Sequence, residues 1–86
     1  MRNVIFERNA FKDIEYWLQN DRRILRRILV LIRDIDRNPF SGLGKPEPLR
    51  YDFKGCWSRR IDEEHRLIYI ISDDNINILS CKYHYK

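Results

Sequence analysis

The chain is organised around residues 44–71, which read GKPEPLRYDFKGCWSRRIDEEHRLIYII. This stretch begins with a loop rich in glycine and proline, in which Glu47 lies between Pro46 and Pro48. A residue that precedes proline is restricted to an extended conformation, so we expect the direction of the Glu47 side chain to be fixed. The stretch ends with β-forming residues at positions 67–71, which predict a strand.

The arginines that lead into this strand are Arg59, Arg60 and Arg66. An acid of fixed direction beside several guanidinium groups suits phosphodiester chemistry, because the acid can accept a proton and the cations can hold the phosphate. Residues 82–85 add a candidate proton donor, His84. On spacing alone, however, a surface glutamate in a proline-rich connection is the simpler interpretation of Glu47.

The spacing within this stretch also predicts a β-hairpin. Residues 57–61 and 66–72 predict two antiparallel strands that are joined by a three-residue turn. Such a turn places Arg60 directly opposite Arg66. Like charges in opposite positions destabilise an antiparallel pair. We therefore expect an anionic group between them, either Glu47 or a ligand phosphate.

Two aromatic side chains of the hairpin are interpreted as structural. Trp57 could stack on an RNA base, but burial in so small a protein is the favoured interpretation. His65 lies at the turn and is taken to support the structure.

Two amphipathic helices are predicted after a short strand at residues 3–6. Asp21 is a suitable N-cap for the second helix, which we expect to end at Asn38-Pro39. The first helix carries Ala10, Phe11, Ile14, Trp17 and Leu18 on one side. The apolar arc of the second helix consists of Ile24, Leu25, Ile28, Leu31, Ile32 and Ile35.

The opposite side of the second helix is an arginine face, which consists of Arg22, Arg23, Arg26, Arg27, Arg33 and Arg37. A charge run of this kind is most often a solvated surface. Alternatively, the face binds RNA phosphates or an acidic protein, which suits the planar guanidinium group. The sequence leaves both interpretations open.

The remaining segments predict further strands. Residues 49–53 alternate weakly between polar and apolar and predict an edge strand. Residues 76–85 predict a final strand, in which alternation places Ile76, Ile78 and Ser80 on one face and Leu79 and Cys81 on the other. In a regular strand His84 and Tyr85 would face opposite sides, so a bend is needed if both are to reach one site.

The composition is that of a small globular protein with an anionic partner. The 86 residues are 43% hydrophobic and 35% charged, which excludes a disordered chain, and the length predicts a single domain over residues 1–86. Neither a membrane span nor a signal-peptide pattern is found, so we expect a cytoplasmic location. Cys56 and Cys81 fit no metal-ligand spacing and are expected to be reduced. The net charge of +4 indicates an anionic partner.

Several of these segments together resemble the YoeB toxins of the RelE superfamily. The motifs that carry the resemblance are Gly44-Lys45-Pro46-Glu47-Pro48-Leu49, Trp57-Ser58-Arg59-Arg60-Ile61, Glu64-His65-Arg66-Leu67 and Tyr83-His84-Tyr85. The likeness runs from the first strand to the C-terminus and includes Trp17 and the segment 21–24. One difference is Lys86, since many members of the family end at His-Tyr.

The resemblance implies a fold, an activity and a set of partners. The fold is α+β, with N-terminal helices packed on a small antiparallel sheet. The activity is ribosome-dependent endoribonuclease cleavage of mRNA at the A site of the 30S subunit, without a metal ion or another cofactor. The partners are the ribosome, its mRNA and an acidic, YefM-like antitoxin that holds the toxin inactive, and the chain can also form a homodimer.

The resemblance also implies roles for individual residues. Glu47 corresponds to the general base, Arg66 to a phosphate-stabilising cation, His84 to the general acid and Tyr85 to a supporting residue. The cations that correspond to RNA- or phosphate-binding residues are Lys45, Arg50 and Arg60, of which Arg50 stands where the family often has lysine.

Two other functions remain as alternatives. Related toxins of this fold poison DNA gyrase by binding it, and the fold alone does not determine function. A plain RNA- or ribosome-binding module could also rely on the arginine face. The set of Glu47, Arg66 and His84 argues for the nuclease.

Overall fold

The computed structural model describes residues 1–83, which form two helices and a five-stranded sheet. The helices and strands are β1 (Asn3–Phe6), α1 (Arg8–Asn20), α2 (Arg22–Arg37), β2 (Glu47–Pro48), β3 (Trp57–Arg60), β4 (Arg66–Ile71) and β5 (Asn75–Ser80). The strand order is β1-β5-β4-β3-β2. Neighbouring strands are antiparallel except β1 and β5, which are parallel.

The two helices cover one face of the sheet. The main core contains Ala10 and Trp17 from α1, Ile28, Leu31, Ile32 and Ile35 from α2, and Leu67, Tyr69, Ile76 and Ile78 from the sheet. Burial of this apolar surface is the main force that holds the helices on the sheet. The predicted α+β architecture is therefore confirmed, although one strand pair is parallel.

Helix α2 begins and ends where the sequence predicts. The Asp21 side chain accepts hydrogen bonds from the backbone N–H groups of Arg23, at 3.1 Å, and Ile24, at 3.4 Å. These bonds satisfy two of the donors that a helix N-terminus leaves unpaired. The helix ends at Arg37, directly before Asn38-Pro39. Its predicted apolar arc faces the core, with Ile24 and Leu25 half-buried.

Helix α1 buries a narrower strip than the sequence predicts. Ala10 and Trp17 are buried, whereas Phe11 and Leu18 are exposed. The reason is that α1 contacts α2 and the adjacent strands β1 and β5, so only one strip of its surface meets the core. Phe11 and Leu18, which were predicted on the same side of the helix as Ala10 and Trp17, therefore lie outside the buried strip. No helix within residues 1–83 is both long enough and apolar enough to cross a membrane.

The outer face of the sheet carries a second, smaller core. Leu49, Cys56 and Ile68 are buried there, with Phe53 and Leu79 packed against them. The predicted edge strand at 49–53 is wrong, because β2 ends at Pro48 and residues Tyr51–Phe53 form a 3₁₀ turn. Both cysteines are buried and free in the structure.

A β-bulge changes the last strand. Ile68 pairs with Ser80 and Tyr69 pairs with Ile78, so Leu79 is an extra residue in β5. An extra residue reverses the alternation that follows it. Cys81 consequently lies in the main core on the helix side, and β5 ends at Ser80. The predicted alternation is wrong from this point, and the strand does not continue through the described residues 81–83.

Candidate active site

Alternation along β3 and β4 places a set of polar side chains on the outer face of the sheet. In β3, Ser58 and Arg60 point outward and Arg59 points toward the helices, since successive side chains face opposite sides. In β4, Arg66 occupies the outer face. Strand β2 adds Glu47 directly opposite Ser58. These side chains line a cleft of about 520 Å³, together with Lys45 and Arg50.

The position of Glu47 depends on the short pairing between β2 and β3. The N–H of Arg60 donates to the carbonyl of Gly44, at 2.7 Å, and the N–H of Leu49 donates to the carbonyl of Cys56, at 2.9 Å. These two bonds hold the backbone on either side of Glu47. The Glu47 side chain is exposed, and no ion pair within 4.0 Å joins it to a cation of residues 1–83. Its carboxylate is therefore available to a ligand.

Arg60 lies directly opposite Arg66, as the predicted turn length requires. Arg66 is anchored, because one of its terminal nitrogens donates to the backbone carbonyls of Asp62, at 2.8 Å, Glu63, at 3.3 Å, and His65, at 3.1 Å. Its other guanidinium N–H groups have no partner within residues 1–83. Of the two anions expected between these arginines, Glu47 forms no ion pair with either. Within residues 1–83, neither arginine of the cleft forms an ion pair with a carboxylate.

Arg59 is not part of this cleft, which corrects the expectation that it acts beside Glu47. Its guanidinium is fully buried and pairs with Asp34, at 2.6 Å. It also donates to the carbonyls of Asn38, Ser41 and Leu43 and to the hydroxyl of Tyr69. Because these acceptors use its donors, Arg59 holds the loop between α2 and β2 and cannot reach a ligand phosphate.

The buried pair was not found from the sequence, although a signal for it exists. Asp34 lies between Leu31 and Ile35, within the buried side of α2, where an unpaired carboxylate would be costly. The N–H of Leu43 donates to Asp34 at 2.9 Å. This bond, and secondly the Arg59 guanidinium, lower the pKa of Asp34 despite its burial. A charge on the apolar side of a helix predicts a buried partner, and alternation in β3 makes Arg59 that partner.

A separate set of contacts holds the chain as it approaches the C-terminus. Trp17 donates to the carbonyl of Cys81, at 2.9 Å, and the carboxylate of Asp13 accepts from the N–H of Cys81, at 2.9 Å. Tyr83 donates its N–H to Nδ1 of His65, at 2.7 Å, and accepts from the N–H of Arg66, at 3.0 Å. His84 and Tyr85, the predicted acid and its supporting residue, lie outside the described residues.

Of the groups that hold this segment, Trp17 and His65 are buried and Asp13 is half-buried. The pKa of Asp13 is raised, chiefly because its carboxyl group is partly removed from water. Burial, with the Asp13 carboxylate second, raises the pKa of the Cys81 thiol to about 12, so the thiol stays protonated. The His65 ring packs against Trp17, with ring centres 4.7 Å apart. His65 thus has the structural contacts that were expected of it.

The arginine face of α2 does not line the cleft. The helices cover the opposite side of the sheet from Glu47, and five of the six arginines of the face are exposed, with Arg27 half-buried.

Trp57 is half-buried and packs against Phe40, with ring centres 4.8 Å apart, in agreement with its predicted structural role. Within residues 1–83, no three His, Cys, Asp or Glu side chains lie close enough together to hold a metal ion.

Comparison with proteins of known structure establishes the class of fold first. The E. coli toxin YafQ is 19% identical and superimposes with a TM-score of 0.76 over 98% of this chain and 94% of its own, which shows a RelE/YafQ-like toxin fold. The YoeB dimer from Staphylococcus aureus is much closer, at 47% identity and a TM-score of 0.92 over 98% of each chain. The YoeB-YefM heterotetramer from the same organism is 46% identical, with a TM-score of 0.91 over 99% of each chain.

Comparison of sequences establishes the family. The family described as "YoeB-like toxin of bacterial type II toxin-antitoxin system" matches residues 6–85. The toxin YoeB of Mycobacterium bovis is 53% identical over 85 residues, which are 99% of this chain and 100% of that protein. The chain therefore belongs to the YoeB-like toxins of bacterial type II toxin–antitoxin systems, as its motifs predicted.

Proposed function

We propose that the protein is a ribosome-dependent mRNA endoribonuclease that cleaves in the A site and so inhibits translation. The observation that carries the proposal is the pairing of Arg60 with Arg66 in the same cleft as Glu47, which forms no ion pair within residues 1–83. Like charges in opposite positions weaken a sheet, so their presence favours a bound anion. An RNA phosphate supplies that anion and brings a proton within reach of Glu47.

The chemistry needs only groups that the chain contains. RNA carries its own nucleophile, the 2′-hydroxyl, which attacks the adjacent phosphorus after Glu47 removes its proton. Arg60 and Arg66 stabilise the negative charge that develops on the phosphate oxygens, and Lys45 and Arg50 hold the neighbouring phosphates. His84 donates a proton to the departing 5′-oxygen, and Tyr85 supports it. The bond between phosphorus and that oxygen breaks, and no step requires a metal ion.

The proposal predicts the end groups of the products. Cleavage leaves a 5′-hydroxyl on the downstream fragment and a 2′,3′-cyclic phosphate, or its opened 3′-phosphate, on the upstream one. Glu47→Gln, His84→Gln and Arg66→Ala are each expected to slow cleavage by about 10²–10⁴-fold. Glu15→Gln is the matched control, because Glu15 is an exposed glutamate on α1. End-group analysis of the fragments decides the question, and a 5′-phosphate would mean that water was the nucleophile.

The ribosome is proposed to supply what so small a domain lacks. The cleft of about 520 Å³ can hold part of a nucleotide chain, but in-line attack also requires the flanking nucleotides to be ordered. We expect much faster cleavage of ribosome-bound mRNA than of the same RNA free in solution. Equal rates at matched concentrations would contradict ribosome dependence.

The proposed partners are those seen in solved structures of related toxins. The YoeB of S. aureus has been solved with YefM, and an acidic, YefM-like antitoxin fits a chain with a net charge of +4. The S. aureus YoeB has also been solved as a dimer, which supports a homodimer here. If the Glu47→Gln variant remained fully toxic in bacteria, a function by binding alone, such as gyrase poisoning, would be favoured instead.

A further inference from the structure

Tyr51 is an exposed aromatic residue with an unusual backbone conformation at the rim of the cleft. Its side chain lines the cleft beside Arg50, and the residue is 91% exposed. Its φ angle is +57°, in the left-handed region that residues other than glycine seldom adopt. Neither feature contributes to the core. Unfavourable backbone conformations of this kind tend to persist where they serve a function.

The turn that carries Tyr51 is well supported by hydrogen bonds. Phe53 donates its N–H to the carbonyl of Arg50, at 3.1 Å, and Lys54 donates to the carbonyl of Tyr51, at 3.0 Å. Cys56 donates to the carbonyl of Phe53, at 2.9 Å. These hydrogen bonds hold the backbone of Tyr51 in its conformation. The exposed ring is therefore carried by an ordered turn.

The surroundings of the ring suit a nucleic-acid base. Tyr51 is 91% exposed, and no aromatic ring of residues 1–83 packs against it. The cleft also carries four cations, namely Lys45, Arg50, Arg60 and Arg66. Proteins that bind single strands combine cations for the backbone with aromatic rings on which bases stack. An acidic peptide would use the cations but would not need a flat aromatic face.

We propose that Tyr51 is a stacking platform for one nucleobase of the bound RNA, next to the phosphate that lies between Arg60 and Arg66. This proposal rests on the proposed function, because it takes RNA as the ligand of the cleft. Stacking is tolerant of sequence but stronger for a larger ring system, so Tyr51 favours a purine over a pyrimidine at that nucleotide. Its ring contributes to binding and takes no part in proton transfer.

The test measures binding without cleavage. The Glu47→Gln protein is titrated against ribosomes programmed with a defined message, in which each nucleotide of the A-site codon and its neighbours is replaced in turn by an abasic one. In this background, Tyr51→Ala and Tyr51→Leu are expected to weaken binding by about 5- to 150-fold, whereas Tyr51→Phe and Tyr51→Trp retain it. Phe11→Ala is the matched control, since Phe11 is an exposed aromatic on the helix side of the molecule.

The abasic series separates stacking from general damage. At one nucleotide, removal of the base is expected to weaken binding of the Glu47→Gln protein and to have no further effect on the Tyr51→Ala double variant. Unchanged binding of the Tyr51→Ala variant, an equal loss on every message, or a loss confined to antitoxin binding would each overturn the proposal. Failure of the Glu47→Gln protein to bind programmed ribosomes would also overturn it. If the abasic series shows this stacking but the wild-type protein cleaves no RNA, the stacking proposal stands and the proposed nuclease activity is refuted.

Discussion

Three arginines within eight positions of the chain have two different roles, and their positions in the sheet determine which. Arg59 faces the helices, is fully buried and is paired with Asp34. Arg60 and Arg66 face outward and lie opposite one another in the cleft. The chemistry of the side chain is the same in each case, so the face of the strand decides whether an arginine supports the fold or binds a ligand.

At the residue scale, Asp34→Asn is expected to destabilise the protein by about 3 kcal/mol at pH 7, because it leaves the buried Arg59 without a negative partner. The folded-state pKa of Asp34 is lowered, first by the N–H of Leu43 and then by Arg59. The carboxylate therefore stabilises the fold above its unfolded pKa of about 3.9, and this contribution is lost as the pH falls through the lower folded pKa.

The difference in stability between the parent and Asp34→Asn should consequently shrink in acid. Urea unfolding at pH 7 and at pH values below 3.9 measures it. Asp73→Asn, in an exposed turn, is the control and should change little at either pH. Burial raises the pKa of Asp13, so its effect on stability changes with pH in the opposite direction. Asp13 is present in both proteins, so this effect cancels in the difference between them. A difference that stayed constant with pH would contradict the role given to the Asp34 charge.

A second prediction at this scale concerns His65. Its Nδ1 accepts the N–H of Tyr83 at 2.7 Å, and Tyr83 directly precedes the proposed acid, His84. His65→Leu removes the acceptor and is expected to slow cleavage by up to about 100-fold, through misplacement of the acid. His65→Asn keeps an acceptor near the same position and should restore most of the rate.

The role of His65 as a positioning residue has its own readout. A substrate whose 5′-bridging oxygen is replaced by sulfur has a leaving group that needs no proton. The defect of His65→Leu should shrink on this substrate, while that of Glu47→Gln should persist. An equal defect of His65→Leu on both substrates would mean that the substitution acts on folding or binding.

At the scale of elements, the loop from α2 to β2 acts together with the β2–β3 pairing to position Glu47. Arg59 binds three carbonyls of this loop, and Tyr69 donates its hydroxyl to a fourth, that of Pro39, at 2.9 Å. The loop has no regular secondary structure, so these side chains replace the hydrogen bonds that a strand or helix would supply. Removing the Arg59 network should therefore disturb the cleft as well as the core.

Gly42→Ala tests this connection between the loop and the buried pair. Gly42 has a φ of +112°, and a Cβ there would overlap the carboxylate of Asp34. Gly55 has a φ of +97° with no atom within 4 Å of such a Cβ, which makes Gly55→Ala a matched control. Both variants bear the backbone cost, about 1–3 kcal/mol. Thermal unfolding should show a further loss for Gly42→Ala alone, and equal losses would contradict the close contact.

At the scale of the whole molecule, positive charge lies on two separate surfaces. The cleft is on the outer side of the sheet, and the arginine face of α2 is on the helix side. An acidic antitoxin that contacts both must wrap around the edge of the sheet, as an extended or folding segment can. We expect its affinity to fall as salt is raised, since the Debye length is only about 10 Å at 0.1 M.

Two variants test which of the two surfaces causes this salt dependence. Arg60→Gln removes a cation from the cleft, and Arg23→Gln removes one from the arginine face. If the antitoxin contacts both surfaces, each substitution should weaken binding and reduce the slope of affinity against salt. An effect of Arg60→Gln alone would confine the antitoxin to the cleft, and affinity that does not change with salt would contradict an electrostatic interface.

Helix α2 and the β3–β4 hairpin were determined by local sequence, because each depends on neighbouring residues. Asp21 and Pro39 bound α2, the period of its apolar residues gives its buried side, and the three-residue turn sets the register of Arg60 and Arg66. The motifs around Glu47 and Arg66 also identified the family. These signals act over a few residues, so they can be interpreted without knowledge of the rest of the chain.

Tertiary structure decided what depends on distant residues. The pairing of Arg59 with Asp34, the bulge at Leu79 that returns Cys81 to the core, and the exposure of Phe11 and Leu18 each follow from contacts between separate elements. The position of Tyr51 on the rim of the cleft is of the same kind. A sequence gives the period of a helix or strand, but which face meets the core depends on what packs against it.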